Sequence, residues 1–231
     1  YGVARSVIHY RERLGQPMEG ARVVLEGFGN VGAAAGLYLA RAGVAVVLLE
    51  KGRVAAEQSS RNWGWIRVQG RDPAEIPIAL EAQALWPRLA AEVDIDIHLT
   101  QGGLAYLAED AAEMARFEAW LETARPFGVS TQALDGDGVA RLLPDAARRW
   151  HGGLWTPTDM RAEPFVTVPA LARLAAGSGA VIREAVAVRG LDIAAGRVAG
   201  VISEAGRVKA GAVVLAGGAW SSLFLRRHGV S

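Results

Sequence analysis

The chain has 231 residues, 51% of them hydrophobic, enough apolar material to bury the core of one large domain or two interleaved smaller ones. Lysine plus arginine (25) nearly cancels aspartate plus glutamate (24), so no global field recruits nucleic acid or an anionic membrane, and any anion must be held locally. Cysteine is absent and the four histidines, His9, His98, His151 and His228, lack ligand spacing, which argues against disulfides, thiolate chemistry and a metal site.

Apolar runs such as Val44 to Leu49 fall well short of the ~18 residues of a membrane span, so no membrane association is expected. A folded cytoplasmic protein is expected, and the start at Tyr1 without a secretory leader reads as a fragment of a longer one.

In chain order, Gly2 to Leu14 spaces Val3, Val7, Ile8 and Tyr10 as one packing helix ended by Gly15. Ala21 to Glu26 (ARVVLE) is rich in β-branched residues and followed by glycines, a short buried strand. Val31 to Ala42, alanine-rich with Leu37, Tyr38 and Leu39, is a helix closed by Gly43. Val44 to Leu49 is a second strand, ending in Glu50, and strand, glycine turn, helix and strand make a right-handed parallel βαβ unit.

After a polar stretch from Lys51 to Asp72, helical periodicity resumes from Ala74 to Val93, with Pro77 and Pro87 expected to bend or divide it. Short strands are expected at Ile97 to Thr100 and Leu104 to Leu107. A helix follows from Ala111 to Arg125, whose stripe of Met114, Phe117, Trp120 and Leu121 reads as core. A strand near Gly153 to Thr156 and a helix from Pro164 to Ala176 come next. In the tail, Val181 to Arg183, Ala185 to Leu191, Arg197 to Ser203 and Ala212 to Leu215 alternate with glycine turns, as a small β-meander that returns to the parallel sheet. The class is α/β.

Gly27-Phe28-Gly29-Asn30-Val31-Gly32 fits the dinucleotide pattern, and its context strengthens it: a strand before, a helix after, and Glu50 at the end of the next strand. Gly27 permits the tight turn, Gly29 lets a diphosphate approach the backbone, and Gly32 lets helix and strand pack closely. The helix N-terminus then offers free N–H groups to the phosphates. Glu50 is placed to accept hydrogen bonds from ribose hydroxyls and to repel a 2′-phosphate, so FAD and NAD remain compatible and NADP is disfavoured.

Two resemblances follow. Residues 1 to 43, through YGVARSV, EGARVVLEGFGNVG and LYLARAG, resemble the coenzyme domain of glutamate, leucine, phenylalanine and valine dehydrogenases, with Phe28 and Asn30 the dehydrogenase-like choices. From about Val44, LLEKG, EQSSRNWGW, QGGLAYLAE, GGLWTPTD, RAEPF and VVLAGGAWSS resemble the D-amino-acid-oxidase-like family of FAD enzymes, including glycine and sarcosine oxidase types. The chain therefore reads as a chimera joined inside a shared βαβ unit.

The second resemblance implies a Rossmann-like FAD/NAD(P)-binding parallel sheet with an inserted, partial mixed-sheet substrate domain of α+β character. Residues 1 to 93 would hold the first helix, the βαβ unit and the following helices. Residues 94 to 163 would be the partial substrate domain, and 164 to 231 would return to the dinucleotide-binding domain.

It also implies that Lys51 follows the ribose acid and that Ser59, Ser60, Arg61 and Asn62 run under the flavin. Ser59 or Ser60 reads equally as an ordinary helix N-cap. Trp63 and Trp65 read either as neighbours of the ring system or as core aromatics. Val186 matches the strand packed on adenine, and Ala216, Gly217 and Gly218 match a later glycine turn near the dinucleotide. Phe28 replaces an alanine, and its ring is expected to crowd the diphosphate. Asp159, Arg161 and Glu163 are expected in a solvated loop leading into the Pro164 helix.

The implied function is flavin-dependent oxidation of a small-molecule amine or amino acid, with no catalytic residue assignable in a chain that resembles only part of that family. A non-catalytic nucleotide-binding module and an NAD-binding coenzyme-domain fragment are the alternatives.

Overall fold

The computed structural model describes residues 2–13, 15 and 20–229. In chain order the elements are α1 (Gly2–Arg13), β1 (Arg22–Glu26), α2 (Asn30–Arg41), β2 (Ala45–Leu49), β3 (Trp65–Ile66), α3 (Ile76–Glu92), β4 (Leu104–Ala108), α4 (Ala111–Ala124), β5 (Gln132–Asp135) and α5 (Gly136–Leu142). They continue with β6 (Gly152–Thr156), β7 (Met160–Arg161), α6 (Pro164–Gly177), β8 (Val181–Arg183), β9 (Val188–Ala194), β10 (Arg197–Ser203), β11 (Gly206–Lys209), β12 (Ala212–Leu215) and α7 (Ser221–Arg226). The expected helix end at Leu14 lies outside the described residues. Among the described residues no helix is long and apolar enough to cross a membrane.

The chain divides into two units, the first made of Tyr1–Asn62, Glu92–Ile97 and Pro164–Ser231. Its centre is a parallel sheet of order β12-β1-β2-β8. Val23, Val24 and Leu25 of β1 are all buried, as a central parallel strand covered on both faces requires, and Val24 pairs with Val47 on one side and Val213 on the other. Helix α2 has Gly29 as its N-cap and stops where Gly43 takes a left-handed φ of +76°. It buries Ala33, Ala35, Leu37 and Leu39 and packs against α6, each fully buried leucine contributing about 1.5–3 kcal/mol.

The tail departs from the expected meander in one respect. Val181–Arg183 extends the parallel sheet, pairing Val181 with Val47, because it follows α6 as the closing strand of a crossover. The antiparallel meander proper is β9-β10-β11, with Val201 buried against Leu191 and Val208. It begins later than Ala185, which takes a φ of +54°, while the Val186 amide donates to the Glu50 carbonyl.

Phe28 is among the largest fully buried side chains, so its ring fills the interior instead of crowding the turn. Its amide donates to Glu50 and its carbonyl accepts from Ala55.

The second unit comprises Trp63–Ala91 and His98–Glu163. An antiparallel sheet β4-β6-β5 pairs Tyr106 with Leu154 and Leu134 with Gly153, and β3 pairs with β7. Helix α3 is continuous through Pro87, and Pro77 falls in its first turn, where no intrahelical N–H is forfeited. No strand forms over Ile97–Thr100: His98 takes a φ of +54° and only Thr100 bridges, to Arg161. The α4 stripe is core as expected, Met114 and Leu121 being buried and Trp120 packing with Val68, Ile76 and Ala124. β5 and α5 were not anticipated; Asp135 caps α5 by accepting from the Gly138 amide at 2.7 Å.

The solvated-loop expectation for Asp159 is overturned. Its side chain is buried and accepts from the Val68 amide at 2.8 Å, the Gln69 amide at 3.3 Å and the Gln83 side-chain amide at 2.6 Å. The carboxylate thus ties the turn after β3 to α3. Burial pushes its carboxyl above the ordinary range, against the opposing pull of those three bonds and of Arg67. Nearby, Thr131 and Thr156 share a buried hydroxyl bond of 2.7 Å.

Three outcomes are expected. Asp159→Ala leaves three buried donors without their acceptor and costs about 2–4 kcal/mol in urea unfolding followed by tryptophan fluorescence. Because folding raises this carboxyl, its favourable contribution is full at acid pH and lost as pH rises through the folded value. The stability of wild type relative to Asp159→Asn therefore declines as pH rises from the ordinary carboxylate range through the raised folded value. Phe28→Ala opens a cavity and costs about 3–5 kcal/mol, read as a lowered Tm.

Candidate dinucleotide-binding site

The chain leaves β1 through α2 to reach β2 on one side, while β12 lies on the other side of β1. The carboxyl ends of β1 and β12 therefore flank a topological switch point, the place where open parallel sheets leave a crevice for ligands. Around it the backbones come so close that only glycine fits. At Gly27, with φ +92°, a Cβ would stand 2.6 Å from the Ala216 carbonyl oxygen. At Gly32 it would stand 2.0 Å from the Gly27 carbonyl oxygen, whereas at Gly217 it would meet side chains alone, chiefly the Glu26 carboxylate at 2.7 Å.

The turn is tied on both sides, the Gly27 amide donating to the Leu49 carbonyl and the Ala216 amide to that of Glu26. The crevice is a cleft of about 270 Å³. That is close to the lower end of the ~300–1,000 Å³ typical of ligand pockets.

Two carboxylates stand at the ends of adjacent strands. Glu50, buried after β2, accepts from the Phe28 amide and the Gly52 amide, each at 2.8 Å. A carboxylate has about four acceptor positions, so two bonds hold it in place while others stay available to a ligand hydroxyl. Glu26 closes β1, and burial first, then the Glu50 charge, push its carboxyl above the ordinary range, while Lys51 pulls it down. Lys51 lies 3.8 Å from the Trp220 ring centre and 3.5 Å from Glu57.

At the start of α2 the Asn30 amide donates to the Ser59 hydroxyl at 2.9 Å, so Ser59 caps a helix distant in sequence instead of its own. Ser59 and Ser60 themselves sit in a short 3₁₀ turn.

Of the residues expected at a dinucleotide, Gly27, Phe28, Gly29, Glu50, Lys51, Ser59, Ala216, Gly217 and Gly218 line this cleft. Asn30, Val31, Gly32, Ser60, Arg61, Asn62 and Val186 lie outside that lining. Gly32 serves the packing of α2 on the turn, and Val186 packs with the meander cluster. Ser60 bonds the Glu57 carbonyl, Arg61 pairs with Glu57 at 3.6 Å, and Asn62 donates to the Ser59 carbonyl at 2.7 Å. In the second unit Trp63 and Trp65 are exposed, their rings 4.6 Å apart, so neither is a core aromatic.

The cleft also recruits residues that sequence reasoning passed over, chiefly Glu26, Arg53, Arg189 and Trp220. Glu26 was legible as an acid directly ahead of the glycine turn. Arg189 was not, because nothing in the composition of β9 marks which of its residues face the crevice.

The residues present fit a dinucleotide: a glycine cradle open to a diphosphate, a helix N-terminus beside it, and a fixed carboxylate one strand over.

The family described as DAO, FAD dependent oxidoreductase, matches residues 22–231. Glycine oxidase from Geobacillus kaustophilus (strain HTA426) is 32% identical over 222 residues, covering 90% of this chain and 57% of that protein. Human mitochondrial sarcosine dehydrogenase is 26% identical over 218 residues, 91% of this chain and 24% of its own length. Among solved structures, L-amino acid deaminase from Proteus myxofaciens superposes with a TM-score of 0.84 at 30% identity, over 93% of this chain and 49% of that one. Glycine oxidase from Geobacillus kaustophilus gives 0.80 at 30% identity, over 91% and 59%. The chain thus spans little more than half the length of the first of these relatives. A parallel sheet bearing a glycine turn and a strand-end acid, together with a match over residues 22–231, leads to one conclusion: the chain belongs to the DAO family of FAD-dependent oxidoreductases, whose cofactor is FAD.

Proposed function

We propose that this chain carries the FAD-binding unit and part of the substrate side of an oxidoreductase that acts on the CH–NH group of an amine or amino acid. The observation that carries the reading is the switch-point cleft, where the glycine turn and Glu50 are positioned by one continuous set of backbone bonds. The names of its relatives, glycine oxidase, sarcosine dehydrogenase and L-amino acid deaminase, support the substrate class.

In this reading Gly27 and Gly29 leave room for the diphosphate, and the amides opening α2 face it. Glu50 accepts from the adenosine ribose hydroxyls, Lys51 follows it on the cleft wall, and Ala216, Gly217 and Gly218 permit close approach from β12. Ser59 surrenders or shares the Asn30 amide when a phosphate oxygen arrives. Ser60, Arg61, Asn62 and Val186 support this lining from behind. FAD, when bound, supplies the hydride acceptor of the reaction. The second unit, Trp63–Ala91 with His98–Glu163, is part of the substrate domain, and the first unit builds the dinucleotide side.

We also propose that residues 1 to 43 come from a dehydrogenase-like source, joined to the oxidase-like chain inside the shared βαβ unit. The choices Phe28 and Asn30 support this.

Titration of the purified chain with FAD, followed by flavin fluorescence, is expected to saturate at one equivalent, with NADH binding more weakly. Gly29→Val is expected to abolish that binding while far-UV circular dichroism stays native, because the added Cβ meets the movable Ser59 hydroxyl and no backbone. Preference for NADH, or no FAD binding under any condition, would overturn the reading.

A further inference from the structure

Two carboxylates, Glu26 and Glu50, line the cleft that a diphosphate would enter. Glu50 accepts from the Phe28 and Gly52 amides. Glu26, at the end of β1, is half-buried and leans on Gly217, with its Oε2 2.7 Å from where a Cβ would stand. Lys51, the cation acting on Glu26, is shared with Glu57 and lies over Trp220. The charged groups on the cleft wall are Glu26, Glu50, Lys51, Arg53, Glu57, Arg189 and Arg227, contributed by β1, the segment after β2, β9 and the turn following α7. Arg189 is engaged by Glu204. No histidine is among the described residues that line it.

Bringing two further negative charges next to the Glu26–Glu50 pair disfavours the charged state of whichever carboxylate has fewer donors. Glu50 keeps its two amide donors, so the burden falls on Glu26. We infer that Glu26 takes up one proton from solvent when the diphosphate of FAD enters the cleft, and then donates its O–H to a phosphate oxygen, so that binding tightens as pH falls. The inference rests on the FAD reading above. Burial and the Glu50 charge already hold the carboxyl of Glu26 above its ordinary range before any ligand arrives, which brings the transition toward neutral pH. The sign follows from linkage: the bound state holds more protons, so affinity is greatest at low pH and is lost as pH rises through the raised value of the complex.

The test is FAD binding by the full chain at pH 6, 7 and 8, by fluorescence and by calorimetry in two buffers of different ionisation enthalpy. Wild type is expected to bind at least about fivefold more weakly at pH 8 than at pH 6, within the limit of about tenfold per pH unit set by one proton, and to show net proton uptake. Glu26→Gln, which keeps the shape and an N–H donor, is expected to bind as tightly at pH 8 as wild type does at pH 6, with no uptake. Glu26→Ala, which removes the charge without supplying a donor, is expected to be pH-independent as well. FAD binding that is flat with pH in wild type, or equally steep in Glu26→Gln, overturns this inference and leaves the FAD reading standing. Absence of FAD binding at every pH overturns both.

Discussion

Everything at the site depends on three backbones meeting at van der Waals distance where β1, α2 and β12 converge. At Gly27 an added methyl group would overlap the Ala216 carbonyl oxygen, and at Gly32 that of Gly27. The absence of side chains there lets α2 begin directly off the sheet and leaves the carboxyl end of β1 uncovered. The switch-point cleft is the by-product of that packing. The same closeness binds the turn to both neighbours, Gly27 to Leu49 and Ala216 to Glu26, so the cleft cannot open without loosening the sheet.

Charge is the second constraint. With nearly equal acids and bases overall, specificity for a nucleotide must come from a few fixed groups. Glu50 is fixed by two amides and serves as an acceptor. Among the described residues no amide anchors Glu26 in the same way, and it feels the Glu50 charge, so the two carboxylates at adjacent strand ends are unequal partners. The second unit has its own buried acid, Asp159, which three donors turn into a structural tie between the β3 turn and α3.

Much of the parallel sheet was legible in the sequence. β1, α2 and β2 announce themselves through apolar runs bounded by glycine, and the α4 stripe through helical spacing. What was hidden depends on tertiary partners. The polar, glycine-rich QALDGDG segment becomes β5 and the start of α5 only because β6 pairs with it and Asp135 caps the helix. Asp159 has the local composition of a loop, and only Val68, Gln69 and Gln83, some 76–91 residues away in sequence, make it a core residue. At the site, glycine spacing picked out the cradle, whereas Phe28 misled because its ring turns inward, a choice that neighbouring side chains make.

Amides at the glycine turn and opening α2, with those of the 216–218 turn, are placed to face a bound diphosphate. Hydrogen–deuterium exchange with and without FAD is the measurement that bears on this, and slowed exchange is expected mainly in peptides covering 27–33, 50–54 and 216–220. FAD that binds while those peptides exchange at unchanged rates would contradict it.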